Sequence, residues 1–252
     1  MNDRIRVGLI GYGYASKTFH APLIMGTPGL ELATISSSDE TKVKADWPKV
    51  SVVSEPRHLF SDPHIDLIVI PTPNDTHFPL AKAALEAGKH VVVDKPFTVT
   101  LSQARELDAL ARSTGRVLSV FHNRRWDSDF LTLKALLANG VLGEVSLFES
   151  HFDRFRPQVR DRWREQGGPG SGIWYDLAPH LLDQAVQLFW PAGQHGGGFS
   201  ATAAGRAIYG LFPRDFILSP ASRDFARYDA CRGGVCAVHR SWFARQLCKV
   251  WS

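Results

Sequence analysis

A chain of 252 residues with 44% hydrophobic content can bury one large core or two modest ones. No apolar run approaches the ~20 residues that span a bilayer. Met1-Asn2-Asp3-Arg4 leads straight into a strand without a signal-peptide pattern, so the expectation is a cytoplasmic protein with no membrane partner. The net charge divides unevenly: residues 1–189 hold 21 Lys+Arg against 22 Asp+Glu, and residues 190–252 hold 8 against 3. The basic excess belongs to the last segment and gives no ground for nucleic acid binding by the body.

The apolar run Ile5 to Ile10 reads as a strand, Gly11-Tyr12-Gly13 as a tight turn, and Tyr14 to Met25 as a helix. This layout brings backbone N–H groups to a pyrophosphate at a helix N-terminus. Gly11 allows the turn and Gly13 removes a Cβ from the phosphate's path. The third fingerprint position holds Ser16, small enough for close helix–strand packing. Glu31 to Ser36 reads as the second strand. A dinucleotide fold usually ends this strand on an Asp or Glu that holds the ribose hydroxyls; here it ends Ser36-Ser37-Ser38, with Lys42 following. Hydroxyls and a lysine accept a 2′-phosphate, which predicts NADP rather than NAD. Ser37 and Glu40 also have capping-box spacing for the next helix.

Ile65 to Ile70 is a continuous apolar, β-branched run, hence a strand buried on both faces, and Pro71-Thr72-Pro73-Asn74 forces the chain out of the sheet. A helix over Thr76 to Ala87 follows, with Gly88 at its C′ position. His90 to Asp94 is the next strand, ending in Lys95-Pro96. Thr100 and Gln103 form a capping box for a helix running to Gly115, and Arg116 to Phe121 is a further strand. This alternation predicts an α/β fold, a doubly wound parallel sheet of Rossmann type. His-Asn-Arg-Arg-Trp-Asp at 122–127 leaves its carboxyl edge, where such sheets bind ligands.

Beyond this the pattern changes. Asp129 to Asn139 is a short amphipathic helix closed by Gly140, and Glu144 to Phe155 alternates partly, as a strand of a second sheet with one wet face. The glycine-rich stretch Gln166 to Gly172 is a loop. Asp176 then opens a helix on which Leu181, Leu182, Ala185, Val186 and Phe189 keep helical spacing. Asp176 and His180 are four apart and share a face. Pro179 points to a helix N-terminus, where the dipole would keep His180 neutral and fit to act as a base.

Gly-Tyr-Gly at 11–13, Thr-Pro-Asn-Asp-Thr-His at 72–77, Gly-Lys-His-Val at 88–91, Asp-Lys-Pro at 94–96 and Asp176-x-x-x-His180 together resemble the Gfo/Idh/MocA family of NAD(P)-dependent oxidoreductases. Residues 122–127 narrow the resemblance to members that act as NADP-dependent scyllo-inositol dehydrogenases. The family usually has Glu before Lys-Pro; Asp94 keeps the charge with a shorter reach. The resemblance implies that Lys95, Asp176 and His180 are catalytic. It also implies that Gly11, Gly13, Tyr14, Ser36, Ser37, Ser38, Lys42, Thr72, Pro73, Asn74, His77, Asp94 and Lys95 bind the cofactor. Asn123, Arg124 and Trp126 would meet a polyol or sugar substrate, although Arg124 and Trp126 could instead form a structural cation–π pair, and His77 could simply pack.

The quoted residues place a dinucleotide domain at 1–122 and an incomplete α+β substrate domain at 123–189. Residues 190–252 contain seven Arg, one Lys, no Glu and all three cysteines, Cys231, Cys236 and Cys248. The Cys231-x4-Cys236 spacing is not that of a zinc site, and no metal is expected. Two readings stand for this poorly ordered tail: a shifted reading frame from about residue 190, or a short basic module in place of the family's sheet. The family's oligomer interface is expected to be missing, and a shifted frame would leave the apolar faces of 144–155 and 181–189 uncovered and prone to aggregation or proteolysis.

Overall fold

The computed structural model describes residues 4–145, 147–152, 168–189, 216–220 and 237–240. The chain forms two units, Met1–Phe121 and His122–Ser252. The first contains β1 (Ile5–Ile10), a π-helical turn (Ser16–His20) continuing into α1 (Ala21–Gly26), β2 (Leu30–Ser36), α2 (Glu40–Asp46), β3 (Ser51–Val53), α3 (Arg57–Ser61), β4 (Leu67–Ile70), α4 (Asn74–Glu86), β5 (His90–Asp94), α5 (Leu101–Thr114) and β6 (Leu118–Phe121). The six strands are all parallel in the order β3-β2-β1-β4-β5-β6. This is the doubly wound order, with its switch point between β1 and β4.

Alternation along the strands builds two apolar layers. Ile10, Ile68, Ile70, Val91 and Val93 face α4 and α5 through Ala81, Ala84, Leu85, Leu107 and Ala111. Val7, Leu9, Ile35 and Val69 face the opposite side with Ala21, Ile24 and Val43. The expected capping box is present: Thr100 accepts from Gln103 N–H, and the Gln103 side chain accepts from Thr100 N–H. Gly115 ends α5 at φ 64°, a conformation that costs a residue with a Cβ about 1–2 kcal/mol.

The expected box at Ser37 and Glu40 is not formed. Asp39 caps α2, accepting from Lys42 N–H at 2.9 Å, and Ser37 Oγ accepts from Asp39 N–H at 3.1 Å. A carboxylate one residue before the helix outcompetes a hydroxyl three residues back, because a charged acceptor makes the stronger bond. Elements α2, β3 and α3 run only three to seven residues, too short for a hydrophobic period to reveal them.

The second unit contains a 3₁₀ turn (Asn123–Trp126), α6 (Ser128–Ala138), β7 (Leu147–Phe152), α7 (Gly172–Phe189), β8 (Phe216–Pro220) and β9 (Ala237–Arg240). Strand β7 lies between β8 and β9, parallel to both. Phe148, Ser150 and Phe152 are buried in alternation, and Phe148 and Phe152 join Leu133, Leu142, Leu181 and Ala185 in one core. The expected strand residues 153–155 and the loop residues 166 and 167 lie outside the described residues, as do the cysteines and most of 190–252.

Asp176 does not open α7, which begins at Gly172 and runs through Pro179. The second half of α7 is held by packing of Leu181 and Ala185, which tolerates the backbone donor that proline removes. His180 therefore stands two turns into the helix. The helix dipole fades within the first turn and does not set the charge of this imidazole.

Candidate active site

The glycine turn sits at the carboxyl edge of β1. Gly11 has φ 81° and its N–H donates to Ser36 O at 2.7 Å, tying β1 to the end of β2. A Cβ at Gly13 would meet no protein atom within 4 Å, so the space beside the turn is open. Ser16 is buried and donates to Gly11 O at 2.9 Å, so the third fingerprint position closes the turn with a hydroxyl. These features fit a dinucleotide pyrophosphate.

Beside the turn lies a cleft of about 380 Å³ lined by Gly11, Tyr12, Ser36, Ser37, Ser38, Asp39, Lys42, Ser54 and others. The sequence reading placed five of these residues here and missed Tyr12, Asp39 and Ser54. Asp39 carried a signal, its position directly before a helix; Ser54, past a three-residue strand, carried none. Tyr12 is the middle residue of the glycine turn. It is buried and donates to Asp46 at 2.9 Å; burial first, and then Asp46, push its phenol up to about 12. Asp46 also takes Lys17 at 2.8 Å, and the hydrogen bonds from Lys17 and then Tyr12 hold its carboxyl below the usual range. Tyr14 is 77% exposed, its ring edge-on to Phe19 at 5.9 Å, and does not line the cleft.

At the switch point, Thr72, Pro73 and Asn74 lead into α4. Thr76 does not cap it: the helix starts at Asn74 without a side-chain cap, and the Thr76 hydroxyl donates to Pro73 O at 2.7 Å. His77 is fully buried, with Nδ1 2.8 Å from Pro96 O and Nε2 2.9 Å from Thr72 O. With a backbone carbonyl at each ring nitrogen, it ties the Thr72 loop to the Lys95-Pro96 segment, the packing role that the sequence also allowed. Lys95 follows β5, its N–H donating to Asp94 Oδ1 at 2.6 Å.

In the second unit, Asp176 and His180 share a face of α7, and His180 is buried with Phe152 edge-on at 6.3 Å. The same helix anchors the turn at 123–126. Arg125 makes a bidentate pair with Asp183, through Nε at 2.7 Å, and this hydrogen bond raises the guanidinium further above its ordinary range. Gln184, also buried, donates to Arg124 O at 2.8 Å. Arg124 pairs with Asp127 at 3.0 Å and lies 5.0 Å over the Phe152 ring. The cation–π partner is thus Phe152 and not Trp126, which is 77% exposed. Arg125, Asp183 and Gln184 had no sequence signal, since their partners lie 58 to 60 residues away. Among the described residues no group of three or more His, Cys, Asp or Glu is placed to hold a metal, and no helix is long and apolar enough to cross a membrane.

A parallel six-stranded sheet with a glycine turn at its switch point defines a dinucleotide-binding Rossmann domain. Comparison with known proteins makes the assignment specific. Residues 5–122 match the Gfo/Idh/MocA oxidoreductase family's NAD-binding Rossmann fold, and residues 130–197 match its C-terminal domain, past the last quoted motif. The chain belongs to the Gfo/Idh/MocA oxidoreductase family. It is 90% identical over 189 residues to YdgJ, an uncharacterized oxidoreductase of Escherichia coli (strain K12), covering 75% of this chain and 55% of that one. It is 41% identical over 187 residues to the scyllo-inositol 2-dehydrogenase (NADP(+)) IolW of Bacillus subtilis, covering 74% and 52%. The solved structure of the YPO2259 oxidoreductase from Yersinia pestis is 64% identical, with a TM-score of 0.74, covering 86% of this chain and 64% of that one. The chain thus spans about half the length of the curated relatives it matches.

Proposed function

We propose that the chain binds NADP(H) and transfers a hydride between the nicotinamide and a secondary alcohol of a cyclic polyol or sugar, of inositol type. The observation that carries the cofactor choice is the cleft at the end of β2. Asp39, the first carboxylate after that strand, is committed to the N-terminus of α2. Ser38 and Lys42 line the cleft where a 2′-phosphate would sit, and Ser37, whose hydroxyl bonds the Asp39 backbone, borders it; a ribose-binding carboxylate would repel that phosphate. The NADP(+) and scyllo-inositol in the name of the Bacillus subtilis relative support the same cofactor and an inositol substrate.

When bound, the nicotinamide supplies the hydride acceptor. In this reading His180 takes the hydroxyl proton and Asp176, one turn earlier, orients or relays it. Lys95 hydrogen-bonds the substrate oxygen and stabilises its alkoxide character. Asn123, Arg124 and Trp126 border the substrate, and Thr72, Pro73, Asn74 and Asp94 the cofactor. The location that goes with this chemistry is the cytoplasm.

A second reading is favoured by one observation, the span of about half of its curated relatives: a module that holds NADP(H) without turnover. Melting the purified chain with NADPH and with NADH separates the cofactor question first. A ligand at a hundredfold its dissociation constant stabilises the folded state by about 2.7 kcal/mol. NADPH shifts the midpoint more than NADH, and Lys42→Ala narrows the gap; equal shifts in both chains overturn the choice. NADP⁺ reduction with scyllo- and myo-inositol then divides enzyme from module.

A further inference from the structure

Two buried histidines stand behind the Asp94-Lys95-Pro96 turn. His77 braces its carbonyl side. The other, His20, has no part in the chemistry above. Its placement begins with Pro22, which lacks the N–H that would close an ordinary helical turn. The helix widens instead, and Ala21 N–H reaches back five residues to Ser16 O. Such single π turns recur at functional sites. This one ends on His20, which is 4% exposed, with its ring 4.3 Å from Phe121.

His20 Nε2 lies 3.4 Å from Asp94 Oδ2. The other oxygen of the same carboxylate, Oδ1, accepts the N–H of Lys95 at 2.6 Å. Each Asp94 oxygen therefore has its own partner, and rotation of the carboxylate toward solvent breaks both contacts. A polar ring buried against an aromatic neighbour is costly unless it is hydrogen-bonded, so His20 holds Asp94 as firmly as Asp94 holds it.

We infer that His20 is a positioning residue for Lys95: its buried imidazole orients the Asp94 carboxylate, whose second oxygen fixes the Lys95 backbone at the end of β5. The inference rests on the reading of Lys95 as the group that meets the substrate oxygen. A contact of 3.4 Å is long for a hydrogen bond. The effect is accordingly modest, about tenfold, where loss of a group that touches the reacting atoms costs hundreds-fold or more.

The test compares His20→Phe, which keeps an aromatic ring beside Phe121 and removes the nitrogen, with His20→Gln, which restores an N–H donor. The first readout is hydrogen exchange at the Lys95 amide in the full chain. It accelerates about fivefold to tenfold in His20→Phe and returns toward the parent rate in His20→Gln. The second is kinetic: kcat with inositol falls about tenfold in His20→Phe while the NADPH dissociation constant stays within about twofold. An unchanged Lys95 exchange rate in folded His20→Phe, or equal acceleration in both variants, overturns the proposal. Should His20→Phe not fold, His20→Leu against His20→Gln gives the same comparison. Lys95→Met tests the underlying reading separately. Full turnover in that variant, with fast Lys95 exchange in His20→Phe, defeats the catalytic role of Lys95 and leaves the orienting role of His20 standing.

Discussion

The two units build their candidate sites from different material. In the first, the functional surface is mostly backbone and loop: a glycine turn, the ends of parallel strands, and a helix cap, all at one edge of one sheet. In the second, it is side chains on α7 whose partners come from the turn at 123–126 and from β7. A site made of backbone conformation needs particular residue types at particular places, because only glycine tolerates φ 81° at Gly11. A site made of side-chain pairs needs only complementary groups that tertiary packing happens to bring together, and many sequences satisfy that.

The largest effect should fall on Lys95. Lys95→Ala lowers turnover of an inositol about a hundredfold to a thousandfold, while the NADPH-induced melting shift persists. Retained turnover would confine the chemistry to the second unit and break the comparison. Next is Gly11→Ala, which forces a Cβ into the left-handed region and destabilises the first unit by about 1–2 kcal/mol. Chemical denaturation followed in that unit reads this as a lower midpoint; no loss would mean that the turn relaxes. Asp183→Ala removes the bidentate partner of Arg125. Arg125 is 41% exposed at its side chain, so the cost is discounted to about 1–2 kcal/mol. Faster proteolysis should be confined to the second unit.

The smallest effect is one of pH. Burial and Asp46 raise the Tyr12 phenol from 10.0 to about 12. The neutral phenol is therefore favoured by folding, and its contribution is complete below pH 10. It is lost as pH rises from 10 toward 12, since the unfolded chain ionises first. Stability of the parent chain should fall more steeply across that window than stability of Tyr12→Phe; parallel curves would remove the tether from the account.

Much of the first unit was legible. The bounds of β1 and β5 follow from apolar runs ended by glycine and by Lys-Pro, and α5 announces itself at both ends through Thr100, Gln103 and Gly115. The misses are also instructive. The serines after β2 were noticed, but the competition between Ser37 and Asp39 for the end of α2 was decided by which acceptor sits directly before the helix. In α7 a proline was read as a start signal, yet burial of Leu181 and Ala185 carries the helix through it. His77 carried a family motif, and its packing between two backbone carbonyls, one of the two roles open from sequence, shows only in the fold.

Sequence by itself determined the layered parallel sheet, the glycine turn, the absence of an acidic residue at the end of β2 and the family. These follow from local periodicity and from residues with restricted backbone freedom, both of which survive without neighbours. Only the tertiary structure decided that Asp39 turns to its helix, that Arg125 and Asp183 join across 58 residues, and that His20 comes to lie behind Asp94. Those outcomes depend on which polar groups find partners once the core is packed, and the free energy of a buried hydrogen bond is set by what surrounds it.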